Sequence, residues 1–144
     1  MGLRSAFLAG AAYTAGVFTF AFAAGAIRVT LIAPRVGDLL AVLIEAPVVL
    51  AVSWQVSLWC TRRFHVSLDS RARILMGVVA FSMLMALELG FSVLMFGEAV
   101  DRYFAKFASR SGVAGLATQV CFATIPWVQC HLRSAGSRYS DIVA

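Results

Sequence analysis

The sequence predicts an all-α protein: a bundle of four transmembrane helices with a short amphipathic interfacial helix between helices 3 and 4. Two observations carry this prediction. Hydrophobic residues make up 61% of the 144 residues and charged residues only 13%, and the mean hydropathy is +0.87. The apolar residues also form four runs of about 20 residues, the length that crosses about 30 Å of hydrocarbon as a helix. The short alternating strands of a membrane β-barrel are not visible in the sequence.

The four runs occupy most of the chain, so residues 1–144 are predicted to form a single integral membrane domain. Each run is predicted to be a helix, because backbone groups in lipid must be satisfied within their own segment. Pro47 and Pro126 lie inside the second and fourth runs and are expected to kink these helices, since proline lacks a backbone donor. The predicted spans are residues 6–27, 39–59, 74–96 and 112–130.

The first run also has features of a signal peptide. Arg4 precedes it, and the triplet AFA at residues 21–23 resembles a cleavage site. The apolar run continues past that site to Ile27 and is longer than the core of a normal signal peptide. This length favours an uncleaved helix.

The interfacial helix is predicted over residues 98–109. Val100, Tyr103, Phe104 and Phe107 recur at i, i+3, i+4 and i+7, while charged residues take the other faces. Such a pattern is typical of a helix that lies on a membrane surface. Docking of a partner protein is the alternative role for this helix.

The basic residues predict the orientation of the chain. Seven of the twelve basic residues lie at the N-terminus, in the second loop, and in or directly before the C-terminal tail, which is predicted over residues 134–144. The other five lie in the first and third loops. The positive-inside rule therefore places both termini in the cytoplasm. Because the net charge of +5 is spread over loops and span ends, nucleic acid is not an expected partner.

Three polar residues on three predicted helices share one depth. Glu45, Glu88 and Gln119 lie about 9, 12 and 10 Å below the outer ends of their spans at 1.5 Å per residue. Arg28, at the outer end of the first span, has a side chain long enough to reach this level. These four residues are the predicted intramembrane polar cluster.

Two interpretations of the cluster are open. An isolated carboxylate near the bilayer centre costs about 2.5–3.5 kcal/mol, so both glutamates are expected to face the bundle interior. There each glutamate is protonated, or the two share one proton, or Arg28 pairs with one of them. The cluster is then either a structural clamp that fixes helix register or a site for protons or cations.

No catalytic, cofactor or metal site is predicted. Cys60, His65, Cys130 and His131 are expected near the cytoplasmic surface, but adjacent Cys130 and His131 suit one tetrahedral ion poorly. The sequence has no glycine-rich phosphate loop, nucleophile elbow or zinc-protease motif. An enzyme is therefore not expected.

The segment IRVTLIAPRVGDLLAVLIEAPVVLAVSWQVSLWCTRRF, followed by ALELG in the third span, resembles a family of small four-helix bacterial inner-membrane proteins of unknown function. The resemblance covers most of the chain and implies its fold and location, but it carries no known activity. The residues that carry it are Arg28, Pro34, Arg35, Glu45, Pro47 and Glu88.

These observations predict a non-enzymatic accessory or interaction subunit held together by a buried Arg/Glu/Gln clamp. Its expected partners are the lipid bilayer and either further copies of itself or a larger membrane complex. The alternative is a small proton- or cation-coupled transporter that uses Glu45 and Glu88. It would be oligomeric, because four helices enclose little volume.

Overall fold

A computed structural model of the chain describes the backbone of residues 2–143 and the side chains of residues 3–133. The described backbone is almost entirely helical and contains no strand. It includes four helical segments that are long and apolar enough to cross a membrane, which confirms the all-α prediction with four long apolar helices. These segments are Leu3–Val36, Asp38–Arg63, Ser70–Phe96 and Arg110–Arg133.

The connections between the four long segments lengthen along the chain, from one residue to six and then to thirteen, residues 97–109, which include a short helix. The fourth long segment begins α6, and this helix continues through the region that the sequence predicts as a C-terminal tail. In chain order the elements are α1 (Gly2–Ile27), a π-helical turn (Arg28–Ile32), α2 (Ala33–Val36), α3 (Asp38–Arg63), α4 (Ser70–Phe96), α5 (Val100–Ala105), a 3-10 turn (Lys106–Ala108) and α6 (Arg110–Val143).

The first helical segment extends nine residues beyond its predicted end at Ile27, to Val36. The sequence predicts a loop between the first two spans, with Arg28 and Arg35 in it. In the structure the chain changes to a π-helical turn, in which the Ala33 N–H bonds to the Arg28 carbonyl, and Pro34 then occupies the start of α2. The connection to α3 is the single residue Gly37, at φ 84°.

The opposite connection, between α3 and α4, is organised by Arg73. Its guanidinium donates to the Ser67 carbonyl at 3.0 Å and to the Val66 carbonyl at 3.2 Å. Asp69 caps α4 by accepting a bond from the Arg71 N–H at 3.2 Å. The buried Arg73 side chain thus supports the loop as well as adding positive charge to it.

The helices form a ring in the order α1, α3, α6, α4, with each helix packed on its two neighbours. Tyr13 of α1 lies in the centre of the four helices. Its aromatic side chain stacks on that of Phe122 of α6 at 4.4 Å between centroids, and its hydroxyl donates to the Phe122 carbonyl at 2.9 Å. Around this contact the core consists mostly of small and apolar side chains, including Ala6, Ala9, Val17, Met76, Ala80 and Leu84.

Two glycines allow close contact between neighbouring helices. A Cβ atom on Gly77 of α4 would lie 2.1 Å from the Ala123 carbonyl oxygen of α6. A Cβ atom on Gly10 of α1 would lie 2.8 Å from the Met76 carbonyl oxygen of α4. Neither position has room for a side chain, so α4 approaches both neighbours with glycine at the contact.

Pro47 and Pro126 both lie inside continuous helices, α3 and α6. Pro47 is exposed on the outside of the bundle, whereas Pro126 is buried among the helices. The bends predicted at these two residues stay predictions.

Candidate functional site

Arg28 and Glu45 form an ion pair between the first helical segment and α3. The Arg28 Nε atom lies 2.5 Å from Glu45 Oε2, and the two side chains are 28% and 16% exposed. The Arg28 Nε–H makes no hydrogen bond, so the attraction between the two side chains is electrostatic. Gly25, one turn before Arg28, lies beside the carboxylate, and a Cβ there would make only an ordinary contact of 3.9 Å with Glu45 Oε1.

Glu88 and Gln119 form a second pair, between α4 and α6. The Gln119 Nε2 atom donates to Glu88 Oε2 at 2.7 Å. The Tyr103 hydroxyl approaches the same oxygen at 3.4 Å, which is a long and weak hydrogen bond. The Gln119 Oε1 atom is buried and has no hydrogen-bond partner.

The four residues of the predicted cluster therefore occur as two pairs. Within the described side chains, no hydrogen bond or ion pair joins Glu45 to Glu88. The positive charge of Arg28 is nevertheless within electrostatic range of the Glu88 carboxylate. One glutamate is thus neutralised by a direct cation, and the other accepts hydrogen bonds from neutral donors.

The segment between α4 and α6 covers this end of the bundle. The sequence predicts that Tyr103 shares a membrane-facing surface with Val100, Phe104 and Phe107. In the structure Tyr103 contacts both Phe104 and Phe107 edge to face, but their exposure differs: Tyr103 is only 7% exposed, whereas Val100 and Phe104 are about half exposed. Burial, followed by the negative charge of Glu88, raises the pKa of Tyr103 to about 12, so its hydroxyl stays a donor at neutral pH.

Glu98 links the segment between α4 and α6 to α4. Its carboxylate accepts a bond from the Lys106 ammonium at 2.5 Å and another from the Ser92 hydroxyl. These two hydrogen bonds, with that of Lys106 the stronger, lower the pKa of Glu98 below its ordinary value. No sequence pattern predicts this contact, because the two residues that bind Glu98 come from different elements.

The Glu98 contact predicts a pH dependence. Because the pKa of Glu98 is lower in the folded protein, its contribution to stability is present above the ordinary pKa of a glutamate and is lost as the pH falls through the lowered pKa. We expect the protection factors of the backbone amides of residues 98–109, which correct for the slower intrinsic exchange in acid, to fall on acidification below the ordinary pKa of a glutamate. Lys106→Met should accelerate exchange at neutral pH as well, whereas Lys106→Arg should not. Equal exchange in the Met and Arg variants would contradict the prediction.

Polar contacts also join the remaining pairs of neighbouring helices. The Ser57 hydroxyl of α3 donates to Gln129 Oε1 of α6 at 2.8 Å, and Gln129 Nε2 donates to the Trp54 carbonyl at 2.9 Å. The Thr14 hydroxyl of α1 lies 3.2 Å from the Ala80 carbonyl of α4 and 2.9 Å from the carbonyl of Gly10 in its own helix. Each of the four helix contacts in the ring therefore carries a polar link.

The cysteines and histidines near the other end of the bundle do not form a cluster. No three His, Cys, Asp or Glu side chains among the described residues are placed to hold a metal ion. Cys60 and Cys130 are buried, and the Cys130 thiol donates to the Leu68 carbonyl at 3.1 Å. His131 packs against Trp127 one turn earlier in α6.

An open, almost wholly apolar groove of about 320 Å³ runs between α4 and α6 on the outside of the bundle. Its walls include Val78 of α4 and Val120 of α6, and Gly77 forms part of its base. The groove has almost no polar lining, so its surface suits apolar contacts.

The geometry thus combines two partly buried pairs near one end of the bundle with two neutral links farther along it. No protein family, curated protein or solved structure was found to match this chain. The resemblance to small bacterial inner-membrane proteins therefore stays an expectation, and the function must be inferred from the residues themselves.

Proposed function

We propose that this chain is a multi-pass protein of a bacterial cytoplasmic membrane, with both termini in the cytoplasm, and that it acts as a non-enzymatic accessory or interaction subunit. The observation that carries the role is the pairing of its polar residues. Arg28, Glu45, Glu88 and Gln119 are all engaged within the chain, and all four links of the ring hold one helix to the next. Such an arrangement fixes helix register.

The outer surface of the bundle supports membrane insertion. Leu40, Val78 and Val120 lie on three different long helices and are 54%, 55% and 48% exposed. In water, an apolar surface that surrounds the bundle would favour aggregation, whereas in lipid it costs nothing. The length and hydropathy of the four long segments also fit a lipid bilayer.

The alternative function is a proton- or cation-coupled transporter that uses Glu45 and Glu88. Glu88 is the residue that favours it, because this carboxylate has only neutral hydrogen-bond donors in direct contact. Glu45 is less suited to exchange a proton, since Arg28 is paired with it at 2.5 Å.

One experiment distinguishes the two functions. The double variant Glu45→Gln with Glu88→Gln is reconstituted in lipid vesicles beside the wild type, and both proton flux and resistance to unfolding by detergent are measured. A structural clamp predicts easier unfolding of the variant and no proton flux from either protein.

Asp101→Asn is the matched control, because it removes an exposed acid that forms no side-chain contact among the described residues. Proton flux in the wild type that disappears in a stably folded double variant would establish the transporter instead. Release of the wild-type protein from vesicles by alkaline carbonate would contradict membrane insertion itself.

A further inference from the structure

Gln55 is exposed on the outer face of α3, and its side-chain amide has no hydrogen-bond partner among the described residues. Exposed threonines elsewhere in the long helices, such as Thr19, Thr30 and Thr124, place their hydroxyls on carbonyls of their own helices. A glutamine has two amide donors and a carbonyl acceptor to satisfy. Gln55 thus differs from these threonines; the exposed Ser82 of α4 also lacks a hydrogen-bond partner among the described residues, but a single hydroxyl has fewer groups to satisfy than an amide.

The depth of Gln55 places its amide in hydrocarbon. α3 has 26 residues, and its last turn carries Arg62 and Arg63. Gln55 lies eight residues before the end of α3, about 12 Å along the axis, which is about 8 Å inside a 30 Å hydrocarbon layer centred on the helix. Side chains of a helix lean toward its N-terminus, so the Gln55 amide points away from the nearer surface.

The face around Gln55 is suited to contact with another helix. Val48, Ala51 and Trp59 lie above and below it at spacings of three and four residues, and all are exposed. Ala51, one turn from Gln55, lets a second backbone approach closely. The face is distant from α4, because α3 and α4 lie opposite each other in the ring.

We propose that this face of α3 binds a second copy of the same chain, with the Gln55 amides of the two copies exchanging hydrogen bonds. This inference rests on the membrane insertion proposed above. Two copies with the same topology are related by a two-fold axis along the membrane normal, so identical residues meet at identical depth. An amide is complementary to itself, since each Nε2–H donates to the other Oε1. A different protein would need its own polar group at the same level.

Cysteine cross-linking tests the dimer. Ala51→Cys, with the exposed Cys121 changed to alanine and the buried Cys60 and Cys130 retained, is reconstituted in phosphatidylcholine vesicles and oxidised at several protein-to-lipid ratios. A disulfide requires Cα atoms within about 7 Å, so only a close helix pair is captured. Ala86→Cys, on the exposed side of α4, is the matched control.

We expect Ala51→Cys to form a covalent dimer and Ala86→Cys to remain monomeric. Adding Gln55→Leu should raise the protein-to-lipid ratio needed for half-maximal cross-linking by about tenfold, and Gln55→Asn should restore most of the yield. Equal cross-linking with glutamine and leucine at position 55 would overturn the role of Gln55. Failure of Ala51→Cys to cross-link, in protein that resists alkaline extraction, would overturn the dimer while leaving membrane insertion intact.

Discussion

Replacing Gly77 by alanine is expected to lower the free energy of unfolding by about 2–3 kcal/mol. The added Cβ would lie 2.1 Å from the Ala123 carbonyl oxygen, and this neighbour is backbone rather than a side chain that can rotate away. Helices α4 and α6 must therefore separate. Separation also lengthens the hydrogen bond between Glu88 and Gln119, which join the same two helices. Unfolding by detergent titration, followed by circular dichroism, measures the loss.

Gly90→Ala is the matched control in the same helix. A Cβ on Gly90 has no neighbour within 4 Å, so the substitution meets open space. Alanine is also the better helix former, and we expect stability to stay unchanged or to rise by up to about 1 kcal/mol. If both variants unfolded alike, close contact at Gly77 would not contribute to stability.

Removing one partner of the ion pair between Arg28 and Glu45 is expected to cost about 2–3 kcal/mol. Glu45→Leu leaves a guanidinium near hydrocarbon without its counter-charge, and Arg28→Met leaves a carboxylate in the same position. Breaking a fully buried pair costs about 3–5 kcal/mol, and the partial exposure of both side chains reduces this figure. The same detergent titration measures each variant.

The double variant Arg28→Met with Glu45→Leu is the decisive measurement. Because it removes both charges together, we expect it to recover most of the stability lost in either single variant. Asp101→Leu, which removes an exposed acid from α5, should change stability by less than about 0.5 kcal/mol. Additive losses in the double variant would mean that the two residues do not stabilise each other.

The long helices were predictable because their apolar runs match a bilayer, and lipid demands helices of that length. The extension from Arg28 to Val36 was not, because a proline and two arginines are typical of a loop. Only the change to a π-helical turn lets the chain continue there, and no sequence pattern distinguishes that turn from a loop.

Counting along the spans predicts a common level for the polar residues but does not predict their pairing. Counting residues from the span ends brings Glu45, Glu88 and Gln119 to one level. Such counting does not identify which helices are neighbours. Glu88 contacts Gln119, and Glu45 contacts Arg28, because of the order of the helices around the ring. The periodicity of the segment after α4 likewise identified an apolar face, but it could not say that Tyr103 turns towards Glu88.

The single-residue connection at Gly37 has a consequence for biosynthesis. The first helical segment and α3 form a hairpin that contains both Arg28 and Glu45, so this ion pair can form once the chain has been made as far as Arg63. The hairpin can then enter the bilayer with its two charges already matched. Glu88 has no such partner within α4 and must wait for Tyr103 and Gln119, which are synthesised later. α6, which is synthesised after α4, therefore supplies the amide that donates to Glu88 of the third long helix.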